Sequence, residues 1–356
     1  MQKLEIKYPL QFYPVLKQTL WGGERIVPFL SLDTETDSRG ASYSQIDHVG
    51  ECWSVSGIED YVSVVKGGEF DGKSLPELVG LCGEALLGRK NAERFGKEFP
   101  LLVKFIDAAQ DLSVQVHPDD VVAKERHGCN GKTEMWYVVD SADKAKLLSG
   151  FVKPLDREQY DRMSAREILD SLQTYEISQG DMFHLPAGTV HSIGAGAFIV
   201  EIQQASDITY RIYDFDRKDK DGKCRELHTS LAADAINFNS NSGCKIDSSI
   251  KVDTESSDSW NYISKSVDCG HFKTSLLSLQ NKGKESKQLS FNYSHLDSFV
   301  ILTCTSGACR MLYKTNGAEN VIEIQRGGSV LLPADLEAVT FELIPGISCE
   351  LLETHI

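Results

Sequence analysis

From Leu112 to Phe215, and again from 260 to 356, polar and apolar residues alternate in short runs that Gly, Pro or Asp soon closes. Alternation with period two places one side of each run against a core, and such frequent closure leaves no length for long helices. Many short strands at regular spacing pack as sandwiches or barrels. The expected fold class is therefore mainly β. Residues 76–110 show helix-like spacing interrupted by Gly and Pro. One more helix is expected in "PLDREQYDRMSAREILDSLQ" (154–173), with Ser164 as N-cap and Glu167 completing a capping box. Residues 239–259 are polar and serine-rich, which suits a linker or loop. The expected division is 1–238, a linker at 239–259, and 260–356.

At 356 residues the chain exceeds one average domain. Its formal charge of −15 argues against a nucleic-acid surface, although a few local cations suffice to hold one phosphate. There is no apolar run of membrane-spanning length, and "MQKLEIKYPLQFYPVLKQTLWGG" lacks the apolar core of a signal peptide. The nine cysteines are scattered and never spaced as CxxC, so reduced thiols and a cytoplasmic location are expected.

Three stretches carry chemistry. "GDMFHLPAGTVHS" (180–192) reads as a strand, a Pro–Gly turn and a second strand opened by His191, with His184 in the first strand. "LSVQVHPDD" (112–120) puts Ser113, Gln115 and His117 on one face of a strand that Pro118 ends. "GKTEMWYVVD" (131–140) puts Lys132 and Glu134 on a shared face. Each has a plain structural reading: a hairpin with packed histidines, an edge strand with a solvated face, a surface ion pair. Together they supply one Gln, two His and one Glu, ligands suited to Zn²⁺, Fe²⁺, Mn²⁺ or Co²⁺.

Gly180, Pro186, Gly188 and His191 match the second cupin motif in spacing, with Ala195 where that motif ends in Asn. The first motif is altered to Gln115-x-His117 followed by Glu134. In this form the chain resembles the class I (type I) mannose-6-phosphate isomerases, in their short bacterial form. "LWGG" (20–23), "GECWSVSG" (50–57) and "EIQQASDITYRIYDFDR" (201–217) extend the likeness, although a Gly-rich segment of longer members is absent after Arg211. The resemblance implies two cupin-like (jelly-roll) barrels with a small helical addition. It implies one Zn²⁺ per chain on Gln115, His117, Glu134 and His191, and interconversion of mannose 6-phosphate and fructose 6-phosphate through a metal-stabilised enediolate. Substrate contacts fall on Ser113, Lys132 and Arg211. Lys132, Asp207 and a metal-bound water are the alternatives for proton transfer. His184 reads equally as a support for the site or as a core residue.

The implied partner is a small sugar phosphate, with no nucleic acid and no membrane; monomer and homodimer both remain open. Two other function classes fit a cupin: a non-catalytic sugar-phosphate sensor and an iron-dependent oxygenase. Gln-x-His argues against the oxygenase, whose facial triad wants two histidines and a carboxylate. A helix-turn-helix would favour the sensor, and no segment reads as one. Finally, "GGSVLLPADLEA" (327–338) echoes "GDMFHLPAGTVH": Pro follows Gly by six, and Ala338 stands where His191 does. Residues 260–356 are thus expected to form a degenerate, metal-free barrel whose task is packing, with no metal ligand after residue 230.

Overall fold

The computed structural model describes residues 4–238, 244–246, 252–253 and 261–356, apart from 282 and 316. All strand pairs are antiparallel, and three sheets hold them. A six-stranded sheet runs Met182–Leu185, Glu134–Ser141, Ala197–Gln204, Leu101–Asp107, Val49–Val55, Val15–Gly23. A five-stranded sheet runs Tyr210–Tyr213, Val114–Val116, His191–Ile193, Lys146–Phe151, Leu172–Glu176. The two face each other across a core that includes Trp21, Ile106, Leu112, Trp136, Phe183 and Ile193. An eleven-stranded sheet contains the C-terminal strands. The fold is mainly β with small helical additions, as expected; its barrels are facing sheets, not a sheet closed on itself.

Alternation explains why the central strands are buried on both faces. Trp136 and Val138 enter the core between the two sheets. Met135, Tyr137 and Val139 instead join a second cluster with Phe105, Phe198 and Val200 and with the C-terminal Phe272, Phe299 and Leu352. The C-terminal region therefore covers the outer face of the six-stranded sheet, and the Phe99 and Phe299 rings meet at a tilt with their centres 4.8 Å apart. The N-terminal strand Leu10–Tyr13 also crosses over, pairing Leu10 with Leu331. The linker expected at 239–259 lies mostly outside the described residues.

The single helix expected over 154–173 is two. Asp156 caps Arg157–Asp161 through a box with Gln159, and Ser164 caps Ala165–Asp170 through its box with Glu167. Each cap restarts the helix, and from Leu172 the chain pairs as a strand with Lys146–Phe151. Upstream, the Gly and Pro interruptions of 76–110 end three short helices, Leu75–Cys82, Glu84–Leu87 and Arg89–Phe95, before the strand Leu101–Asp107.

Candidate metal centre and active-site cavity

Strand register builds the site. His191 opens its strand directly opposite Gln115, and Gln115 pairs on its other side with Arg211. Glu134 opens its strand opposite Leu185. The Pro186–Gly188 turn is held against the first motif, because Gly188 N–H donates to His117 O at 2.8 Å. Ligand atoms of His117, Glu134 and His191 consequently lie within 4.8 Å of one another, and all three residues are buried.

Both imidazoles are oriented by backbone carbonyls. His117 Nδ1 is 2.7 Å from Ile208 O, and His191 Nδ1 is 2.9 Å from Thr189 O. A carbonyl can only accept, so each Nδ1 carries the proton and each Nε2 keeps a lone pair aimed inward. His117 Nε2 is 3.5 Å from Glu134 Oε2, and His191 Nε2 is 3.3 Å from Oε1. Gln115 Nε2 stands 3.2 Å from His191 Nε2, while Ser113 Oγ donates to Gln115 Oε1 at 3.2 Å. Turning that amide by half a revolution presents Oε1 to the cluster, with Ser113 accepting instead.

Burial is the main electrostatic force here. It takes His191 down to about 4. With Lys132 and His191 nearby, it holds His117 well below the usual imidazole range. Both rings are therefore neutral ligands at neutral pH. Burial also pushes Glu134 up to about 7, against the pull of Lys132. Glu134 Oε1 is buried with no hydrogen-bond donor, a costly arrangement for a carboxylate that nothing coordinates. Two inward lone pairs, an orphaned carboxylate oxygen and an adjacent amide fit a divalent cation.

A cavity of about 890 Å³ reaches Ser113, Gln115 and Lys132 at the edge of the cluster, and Lys17, Lys104, Lys132, Arg211, Lys220 and Arg225 bring positive charge to its wall. Most of that charge is already matched. Lys132 Nζ is 2.9 Å from Glu134 Oε2 and 3.2 Å from His117 Nε2. Lys104 pairs with Glu201 at 3.4 Å and Glu51 at 3.6 Å, and lies 4.5 Å from the Trp53 ring centre. Trp53, Lys104, Glu201 and Trp136 form one row across four strands. Burial by itself would raise Glu201, but Lys132 and Lys104 outweigh it and hold the carboxylate ionised. Asp207, half-exposed, stands 3.9 Å from Lys17 and 4.0 Å from Lys104. Arg225 pairs with Asp214. Arg211 has no carboxylate partner among the described residues: Nη1 donates to Glu226 O at 2.9 Å, and its buried Nε is unbonded.

The structure thus brings Gln115, His117, Glu134 and His191 together, with Ser113 and Lys132 touching them. Arg211 and Asp207 line the cavity without touching the cluster. His184 is elsewhere: Phe183 and Leu185 point into the inner core, so His184 points to the opposite face. Glu51, Lys104 and Glu201 carry no assignment from the sequence. Their signal was a charged residue inside a run such as "LLVKFID" or "AFIVEIQQ", where every position is buried.

A family model, Phosphomannose isomerase type I, catalytic domain, matches residues 10–144. The mannose-6-phosphate isomerase ManA of Bacillus subtilis (strain 168) is 33% identical over 329 residues, covering 92% of this chain and 94% of the relative. The chain belongs to the type I phosphomannose isomerase family. The crystal structure of the mannose 6-phosphate isomerase from Bacillus subtilis shares the family fold with a TM-score of 0.80 at 28% identity, covering 98% of this chain and all of that one. A mannose 6-phosphate isomerase structure bound with zinc and yttrium shares the fold with a TM-score of 0.68 at 16% identity, covering 97% of this chain and 98% of that one.

Proposed function

We propose that this chain is a zinc-dependent mannose-6-phosphate isomerase with one metal per chain, on Gln115, His117, Glu134 and His191. The observation that carries this reading is the orphaned Glu134 Oε1 beside two inward-facing Nε2 atoms, next to a cavity in which the half-buried Arg211 has no carboxylate partner among the described residues. When bound, a divalent metal supplies positive charge for the oxygen that becomes anionic as a proton moves between C1 and C2. Arg211 takes the phosphate, and this remote grip sets the sugar's reacting carbons against the cluster. Ser113 holds the Gln115 amide. Lys132 contacts the cluster itself, whereas Asp207 sits in ion pairs on the solvent side; this favours Lys132 over Asp207 for handling the proton.

The family assignment weighs against the oxygenase and sensor readings. The test is incubation of pure protein with mannose 6-phosphate and Zn²⁺, with fructose 6-phosphate read through a coupled dehydrogenase. Zinc-dependent turnover is expected. No turnover at full metal occupancy contradicts the reading and leaves the sensor.

We further propose that residues 1–238 carry the chemistry and 260–356 act as a metal-free packing partner. A cytoplasmic location and a sugar phosphate as ligand complete the proposal. All nine cysteines are free thiols, including Cys304 and Cys349 at 3.6 Å, which suits a reducing compartment. No helix among the described residues is long and apolar enough to cross a membrane.

A further inference from the structure

Lys132 needs close placement, yet the segment that carries it and leads into Glu134, Gly131–Thr133, lies outside any strand. Its backbone is tied down residue by residue. Gly131 N–H donates to Asp120 Oδ1 at 2.8 Å. Lys132 N–H donates to Pro118 O at 3.1 Å. Thr133 N–H donates to Gln204 Oε1 at 2.9 Å, and Thr133 O accepts from Gln204 N–H at 3.1 Å. Gln204 Nε2 then donates to the same Asp120 Oδ1 at 2.9 Å, so a buried amide and a carboxylate close one ring of hydrogen bonds around the segment. The fit is close: a Cβ on Gly131 would lie 2.5 Å from the Asp119 carbonyl carbon and 2.6 Å from Asp120 N. Thr133 Oγ1 extends the bracing by accepting Ala187 N–H at 3.2 Å, in the turn that leads to His191.

We propose that Gln204 and Asp120 are positioning residues for the isomerase reaction, acting as an amide–carboxylate clamp on Gly131–Thr133. Neither side chain is among those lining the cavity. The amide fits the role because it offers an acceptor to Thr133 and a donor to Asp120 at once. Free of the clamp, the segment would let the Lys132 ammonium leave its place between Glu134 and His117. A displacement of about 1 Å near reacting atoms costs on the order of 100-fold in rate. His271 Nδ1, from the C-terminal region, lies 3.9 Å from Asp120 Oδ2, so the second barrel backs the clamp.

The activity arm of the test rests on the isomerase reading, and hydrogen exchange does not. Gln204→Leu removes both bonds at nearly constant volume. Backbone amides of the peptide spanning 131–134 should exchange at least about tenfold faster. Per zinc-loaded chain, kcat should fall about 10- to 100-fold, with KM within about threefold and zinc still one per chain. A residue that only stabilises the fold would lower the melting temperature and leave kcat per loaded chain unchanged. Should Gln204→Leu fail to fold, Asp120→Ala decides by the same readouts. Asp120→Asn, which keeps an oxygen acceptor for Gly131, should recover to within about threefold of wild type. Unchanged exchange at 131–134, or kcat within twofold in loaded variants, overturns the clamp. If the wild type itself shows no turnover, the isomerase reading fails and exchange alone decides the clamp.

Discussion

The hairpins Gly180–His191 and Gly327–Ala338 have the same backbone and opposite content. Gly180 and Gly327 both adopt φ of 85°, a left-handed conformation that glycine takes without strain. A four-residue strand starts two residues later in each, Met182–Leu185 and Ser329–Leu332, and proline follows both. Thr189 N–H bonds Pro186 O, and Leu336 N–H bonds Pro333 O, closing the same turn. The partner strands match as well: Leu185 faces Glu134, and Leu332 faces Val300. His191 faces Gln115, and Ala338 faces Asn292. At three ligand places the second barrel therefore has Val300, Ala338 and Asn292. Its interior is apolar, with Leu302, Met311, Val330 and Phe341 fully buried. Among the described residues there is no second metal-ligating group. The same backbone punctuation carries a buried histidine in the first hairpin and an exposed alanine in the second.

The strongest way to break the comparison is to remove the C-terminal region. Deleting 250–356 strips the cover from Met135, Tyr137, Phe105 and Val200 and takes away the strand that pairs with Leu10 and Gln11. The product should be insoluble or unfolded; soluble, fully active 1–249 would show that the second barrel is dispensable. Next come the ligands. His117→Ala and Glu134→Ala should each lose the metal and nearly all turnover, while His184→Ala, on the opposite face, keeps both; metal analysis of the purified variants checks this.

Arg211→Ala sharpens the division between metal and substrate. Metal should stay, and kcat/KM should fall about 30- to 1000-fold, from about 2–4 kcal/mol of lost charged hydrogen bonding. Normal turnover would move the phosphate role to Lys132. In the second barrel the expected effects fall on stability and not on turnover. Val300→Glu puts an unpaired carboxylate in a 1% exposed position and should cost about 3–5 kcal/mol in denaturant titration without recruiting metal. Ala338→His lies on the surface and should change stability by less than about 0.5 kcal/mol.

What was legible in the sequence was local. Ser113, Gln115 and His117 share a face because strand period is two, and Gly180, Pro186 and Gly188 announce their turn through backbone preference. Ser164 and Glu167 announced a cap, but the competing cap at Asp156 turned one expected helix into two. Partners set by long-range register stayed hidden. Lys104 meets Glu201 only because Leu101–Asp107 pairs with Ala197–Gln204, and Leu10 reaches Leu331 only once both halves have folded.

The central claim is that two hairpins of matching backbone differ in metal binding because only the first carries ligand side chains and buries them. An anomalous difference map at the zinc edge, from crystals grown with Zn²⁺, tests it directly. One peak per chain is predicted, bounded by His117 Nε2, His191 Nε2 and Glu134, with none near Val300, Asn292 or Ala338. A peak in the C-terminal barrel, or an empty position between His117 and His191 in protein that turns over substrate, would contradict it.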